Sequence, residues 1–352
     1  MKRALAILGA LVLLLGLADR WLARRAAEGL AAGRVGPLFT PEEAERLRKQ
    51  PALRIEGGGE VHAYGRVEGR WRCLSYHEAP ADARAVQELL EGVAGAEGIV
   101  HASGTEAAPA YGLNTPRTLR VSIQGPRATQ DPGGDVLATL ELGTSTPQGG
   151  FVRRKGTPEI WSIASDLRAP LERRLAPGLP PLLEPAVVPQ AWLASGGVVA
   201  LTLEEGARRL ELVRRDAPPD PESAGPGALP WRWVLLEGGA ELRLDVEAGE
   251  AFLSYVTGLP YLAVEPRTAR ASAGLVPPRA LVTLRGREGP PLVLALGASD
   301  AAGSVALWVE ASQTLFRIAP AALALLLPSR ETLTAEYPED DPWTTALREE
   351  RR

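Results

Sequence analysis

Cysteine is almost missing from these 352 residues: Cys73 stands alone, so no internal disulfide can form. Cys73 lies between Arg72 and Leu74 in an expected strand, where it reads as a packed thiol rather than a nucleophile. An intermolecular disulfide in an oxidising compartment stays open. Lysine is nearly as scarce. Lys2, Lys49 and Lys155 are the only ones, so the positive charge is arginine, a bias that with abundant Ala, Gly and Pro reads as GC-rich coding. The formal net charge of −4 argues against nucleic acid as an obligatory partner, because such proteins carry a basic face.

Motifs of chemistry are missing too. His62, His77 and His101 have no paired ligand spacing, so no metal site is expected. Gly57-Gly58-Gly59 and Gly149-Gly150 lack the lysine of a phosphate loop. Gly92, Gly95 and Gly98 have the wrong spacing for a dinucleotide fingerprint and follow a helical stretch instead of opening one. No Gly-x-Ser-x-Gly elbow occurs. The sequence therefore names no catalytic, cofactor-binding or metal-binding residue. One basic run, Arg153-Arg154-Lys155, fits either an anionic ligand or a solvated hairpin edge. With 45% apolar and 23% charged residues the chain can bury proper cores, and its length accommodates two domains.

What the chain does contain is a duplication. Tyr111-Gly112-Leu113-Asn114-Thr115-Pro116 is answered by Ala273-Gly274-Leu275-Val276-Pro277-Pro278. Before each turn stands a helical stretch led by an aspartate. Asp82 precedes Val86, Leu89, Leu90 and Val93, and Asp245 precedes Phe252, Tyr255, Val256 and Leu259, both sets spaced for one helical face. Each Asp is positioned to cap the free N–H groups of its first turn. After the turn come strands: Leu119, Val121 and Ile123 alternate with polar residues, and Ala280 to Leu284 is the more apolar counterpart. Next, Val136 to Gly143 matches Leu292 to Gly297, each run expected to close on a turn glycine. Phe151 to Arg153 matches Ala306 to Val309, and Ile160 to Ile163 matches Leu315 to Ile318. Copy one adds a polar hairpin insertion, Gly125 to Gly134. Trp71 and Trp231 or Trp233 precede the two helices, and Trp161 and Phe316 recur in the last strand; repeated placement reads as core.

This order of Trp-rich strand, Asp-led helix, Tyr-Gly-Leu-x-x-Pro turn, strand ending Leu-Gly, aromatic strand and short helix resembles the bacterial domain-of-unknown-function family 4340. The resemblance spans Trp71 to Leu175, and more loosely Trp231 to Leu327, where Ala273 replaces the turn tyrosine. It implies a membrane-anchored envelope protein, and for some members an association with auxiliary components of gliding-motility-type ABC transporters. No catalytic residues come with it.

At the amino terminus Lys2 and Arg3 precede an apolar run, Ala4 to Ala18, followed by Asp19, Arg20, Trp21 and Leu22. Fifteen helical residues span about 22 Å, short of the ~30 Å hydrocarbon core, so flanking arginines must snorkel and Trp21 sit at the interface. The competing reading is a signal peptide cleaved after Gly16-Leu17-Ala18. Farther on, Thr40-Pro41-Glu42-Glu43 is a capping-box helix start.

The expected fold is α+β: two tandem repeats of a mainly antiparallel sheet with one principal helix each, preceded by an N-terminal transmembrane helix. Its parts are an anchor or signal sequence (1–22), a membrane-proximal stalk or packing helix (23–50), a first repeat (51–176), a Pro-rich connection (177–197), a second repeat (198–330) and a polar tail (331–352). Pro218 to Pro230 reads as a loop within the second repeat. The expected role is a non-enzymatic, single-pass inner-membrane protein with its body in the periplasm, accessory to an ABC-type transporter or motility complex. The alternatives are a small-ligand module for glycan or peptide and, third, an envelope hydrolase. No nucleic-acid partner and no cofactor are expected, and oligomeric state is left open.

Overall fold

Two sheets with the same strand order make up the molecule. The structure is a computed structural model that describes residues 35–49, 52–125, 135–194, 197–216, 231–237, 240–242, 244 and 246–334. It divides into two compact units, Met1–Leu183 and Glu184–Arg352, and the division falls within the proline-rich stretch.

The first unit opens with strand β1 (Gly36–Pro37) and helix α1 (Pro41–Arg48). The capping box forms as its residues require: the Glu43 N–H donates to Thr40 Oγ1 at 3.2 Å, and the Thr40 N–H donates to Glu43 Oε2 at 2.9 Å. Ala44 and Leu47 are buried and the helix lies against the principal helix α2 (Ala83–Ala94). Of a stalk and a packing helix, it is the second. Between them run β2 (Ala52–Gly57), β3 (Glu60–Val67), β4 (Arg70–Cys73) and β5 (Ala79–Pro80). Asp82 caps α2, its Oδ1 accepting from the N–H groups of Arg84 and Ala85 at 2.9 and 3.1 Å. Val86, Leu89, Leu90 and Val93 are all buried, each worth about 2 kcal/mol of transfer free energy. After α2 come β6 (Glu97–Ser103), a 3₁₀ turn (Ala108–Tyr111), β7 (Leu119–Gln124), β8 (Val136–Thr146), β9 (Gly149–Arg154), β10 (Glu159–Ile163) and the short α3 (Ala169–Glu172). The ten-stranded antiparallel sheet has the order β1-β6-β10-β9-β8-β7-β2-β3-β4-β5.

The second unit repeats this with α4 (Gln190–Ala194), β11 (Val198–Glu205), β12 (Arg208–Asp216), β13 (Trp231–Glu237), β14 (Ala240–Leu242), α5 (Val246–Thr257) and β15 (Ala263–Glu265). There follow β16 (Ala280–Gly286), β17 (Leu292–Ser299), β18 (Val305–Val309), β19 (Thr314–Ile318), α6 (Pro320–Leu326) and α7 (Arg330–Leu333). Its nine-stranded order, β15-β19-β18-β17-β16-β11-β12-β13-β14, matches the first sheet strand for strand once β1 is set aside. The correspondence reaches back into the proline-rich stretch. The Leu38 N–H donates to Ala96 O just after α2, and the Val187 N–H donates to Leu259 O just after α5, both at 2.9 Å.

One expectation needs correction. Gly143 and Gly297 do not close their strands, because β8 runs to Thr146 and β17 to Ser299. Each glycine sits where the register to the next strand slips, between Leu142 and Ser145 and between Leu296 and Ser299. There the preceding turn presses on the strand. A Cβ on Gly143 would fall on the Tyr111 carbonyl oxygen, and one on Gly297 on the Ala273 carbonyl oxygen. Close backbone approach at a β-bulge, not a turn dihedral, is what demands glycine twice.

The expected anchor (1–22), the insertion from 126 to 134, the loop 217–230, the helix-leading Asp245 and the tail from 335 on lie outside the described residues. Among the described residues no helix is long and apolar enough to cross a membrane.

Candidate functional site

Strand alternation gives the first sheet one apolar and one charged face. Leu53, Ile55, Val121, Ile123, Leu140, Leu142 and Val152 point into the core, all at most 3% exposed. Their neighbours Arg54, Glu56, Arg120, Ser122, Thr139, Glu141 and Arg153 take the other face. Register then lines these up across strands. Glu56 faces Arg120, Arg120 faces Glu141, and Glu141 faces Arg153, a four-strand rung of alternating sign.

The rung is joined by side-chain bonds. Arg120 Nε donates to Glu141 Oε1 at 3.2 Å, and Arg153 Nε donates to Glu141 Oε2 at 2.8 Å, with a second, short contact from Arg153 Nη2 to the same oxygen. Arg153 Nη2 also donates to Asn114 Oδ1 at 2.6 Å. Asn114 reaches that position because the turn holds it at φ 57°, a left-handed conformation asparagine tolerates. The Glu141 and Arg153 side chains are each 8% exposed, while Arg120 is 46% exposed. A buried carboxylate with two guanidinium partners, one of them also tied to an amide, meets the desolvation cost of its charge. The next rung continues the polar face: Arg54 faces Ser122, Ser122 faces Thr139, and the two hydroxyls lie 2.9 Å apart. Along β2, Arg54 Nε donates to Glu56 Oε1 at 2.7 Å.

Over this face lies a recess of about 430 Å³, lined by Arg54, Glu56, Arg120, Ser122, Gln124, Thr139 and Lys155 among others. It is concave, polar and rich in donors, which suits it to hold another molecule.

The basic run Arg153-Arg154-Lys155 is split by alternation. Arg153 is buried in the rung. Arg154 crosses to the core side, donates to Glu43 Oε1 of α1 at 2.7 Å and stacks 5.1 Å over Phe39. The hydrogen bond from Arg154 holds the Glu43 carboxyl below the usual carboxylate range. Lys155 stays at the recess and makes no ion pair among the described residues.

The histidines are dispersed. His62 lies 3.3 Å from Glu60, His77 meets the Tyr76 ring at 5.3 Å, and His101 joins Tyr111 and Phe151 in an aromatic trio with centroids 4.9–5.4 Å apart. No group of three or more His, Cys, Asp or Glu side chains that could hold a metal occurs among the described residues. Cys73 is fully buried and its thiol is pushed up by burial, which disfavours the thiolate. Trp71 is buried, with Arg66 stacked 5.3 Å over its ring. Trp161 is half-buried, and Phe316 is buried against Tyr261 with centroids 4.9 Å apart. Asn114, Arg120, Ser122 and Glu141 were not singled out by sequence. A signal existed in the polar positions of β7 and β8, which fall on one face and are directly cross-strand.

Residues 71–177 match the model of a family described as Domain of unknown function (DUF4340). This bears out the resemblance read from the residues over Trp71 to Leu175, and it covers every member of the hydrogen-bonded cluster: Asn114, Arg120, Glu141 and Arg153. No curated protein and no solved structure matches the chain.

Proposed function

We propose that this protein is a non-enzymatic binding component of the bacterial cell envelope, held by its N-terminal segment at the inner membrane with its body outside the cytoplasm. In that setting it serves as an accessory part of an ABC-type transporter or motility-type complex. The observation that carries a binding role is the cross-strand rung Glu56–Arg120–Glu141–Arg153 under an open polar recess. Three of its charges, Arg120, Glu141 and Arg153, are tied to one another and Glu56 is tied to Arg54, a fixed geometry that suits recognition.

The test is crosslinking of tagged, full-length protein in native membranes, followed by mass spectrometry of the partners. Recurrent crosslinks to transporter subunits are expected; crosslinks only to itself, or to nothing, would sink the accessory reading. The recess also favours a second reading, a small-ligand module, for which ligand addition raises the melting temperature.

A further inference from the structure

We propose that the recess on the first unit is a binding site for a small oxyanion, a carboxylate or phosphate group, held by Arg120, Arg54 and Lys155. This rests on the small-ligand reading above and specifies its chemistry.

Charge is the first argument. The recess and the side chains tied to it bring together five cations, Arg54, Arg120, Arg153, Arg154 and Lys155. Against them stand three carboxylates, Glu43, Glu56 and Glu141. Glu43 is spent on Arg154, and Glu141 is shared by Arg153 and Arg120. The surplus is therefore concentrated where the recess opens.

Free donors are the second argument. Arg120 and Arg54 make their side-chain hydrogen bonds through Nε, and among the described residues the Nη groups of both donate no hydrogen bond. Lys155 Nζ has none either. A guanidinium held through its Nε edge offers its remaining N–H groups as a fork matched to two oxygens of one anion. Behind them Gln124, 6% exposed, makes no side-chain hydrogen bond among the described residues, and Ser122 and Thr139 present paired hydroxyls. These neutral groups can receive the polar part of a ligand whose anionic end meets the cations.

The second unit is the internal control. The positions matching Arg54, Arg120 and Glu141 are Thr202, Leu281 and Ala295, so the same strand order there carries no such donor set.

The experiment is isothermal titration of the full-length protein at low ionic strength with inorganic phosphate and with citrate, alongside sedimentation with phosphatidylglycerol vesicles. Wild type, Arg120→Gln, Lys155→Gln and the second-unit control Arg209→Gln are compared. Saturable binding is expected, weakened about tenfold by Arg120→Gln or Lys155→Gln, the scale of one charge-assisted hydrogen bond, and unchanged in Arg209→Gln. Lys155→Gln removes no ion pair, so its fold is expected intact even if Arg120→Gln is destabilised. Vesicle binding that both recess variants weaken, with neither free anion bound, would assign the oxyanion to a lipid headgroup and still support the site. No saturable binding to any probe, or equal loss in Arg209→Gln, overturns the proposal. Transporter crosslinks that persist in that event leave the accessory reading standing, so the two failures are separable.

Discussion

The same rung is built twice, once from charge throughout and once from hydrocarbon at three of its four positions. Where the first unit places Glu56, Arg120, Glu141 and Arg153 across four strands, the second places Glu204, Leu281, Ala295 and Trp308 in the same register. There Ala295 and Trp308 join a buried cluster with Ala273, Leu275, Ala306 and Leu315. Trp308 occupies the place of Arg153. It keeps one polar bond, Nε1 to Glu310 Oε2 at 2.7 Å, and carries Arg270 stacked 4.6 Å above its ring. One backbone thus accepts both solutions. Hydrophobic replacement of a buried ion pair is often neutral or stabilising, so stability by itself gives no reason for the charged version in the first unit.

The sharpest way to break the comparison is Glu141→Ala. It strands Arg153 in a buried site, and a loss of about 3–5 kcal/mol in urea unfolding is expected. Transplanting the second unit's answer, Arg120→Leu with Glu141→Ala and Arg153→Trp, removes all three charges together. That triple variant is expected to cost at least about 2 kcal/mol less than the single change. Asn114 stays in it, because a β-branched residue is strained at φ 57°. A triple variant as unstable as Glu141→Ala would show that the rungs are not interchangeable.

Where the units agree, they respond alike. Gly143→Ala and Gly297→Ala both push a methyl into a turn carbonyl, and each is expected to cost about 3 kcal/mol, since neither backbone can move aside cheaply. A harmless alanine in one unit but not the other would end the claim of a shared structural knot.

Caps differ between the units. Thr40 caps α1 and its counterpart Pro189 has no side chain to do so. Thr40→Ala is expected to cost about 1 kcal/mol, read as faster amide exchange in the first turn of α1.

The smallest effect is a pH one. Glu43, ordinarily near 4.5, is lowered by Arg154, so between the folded and unfolded values the unfolded chain binds the extra proton. Its contribution is full above the unfolded value and is lost as pH falls through the lowered folded one. Wild type is therefore expected to exceed Arg154→Gln in thermal midpoint at neutral pH, with the gap closing as acidification carries the pH below the unfolded value of 4.5 and through the lowered folded one. A gap independent of pH would mean Arg154 acts only by its packing over Phe39.

How much of this was legible follows the range of each interaction. The two α+β repeats, the helix faces around Val86 and Phe252, and the Thr40 capping box depend on residues a few positions apart, and spacing reveals them. Gly143 stands out in the sequence as a repeated residue, and spacing suggests a turn. Its real constraint is the Tyr111 carbonyl some thirty positions back, a distance that spacing cannot measure. The hydrogen-bonded cluster is out of reach of spacing for the same reason. Asn114, Arg120, Glu141 and Arg153 come from a turn and three strands, and Arg153 was visible only as part of a basic run.

By itself, then, the sequence determined what is periodic and local: two copies, their helices, their strands and the absence of familiar catalytic motifs. Tertiary structure alone decided which charges face one another, because cross-strand register is set by the whole sheet. A slip of a single residue would send Arg120 and Glu141 into the core and Val121 and Leu140 to the recess. The candidate site therefore exists only once every strand has found its neighbour.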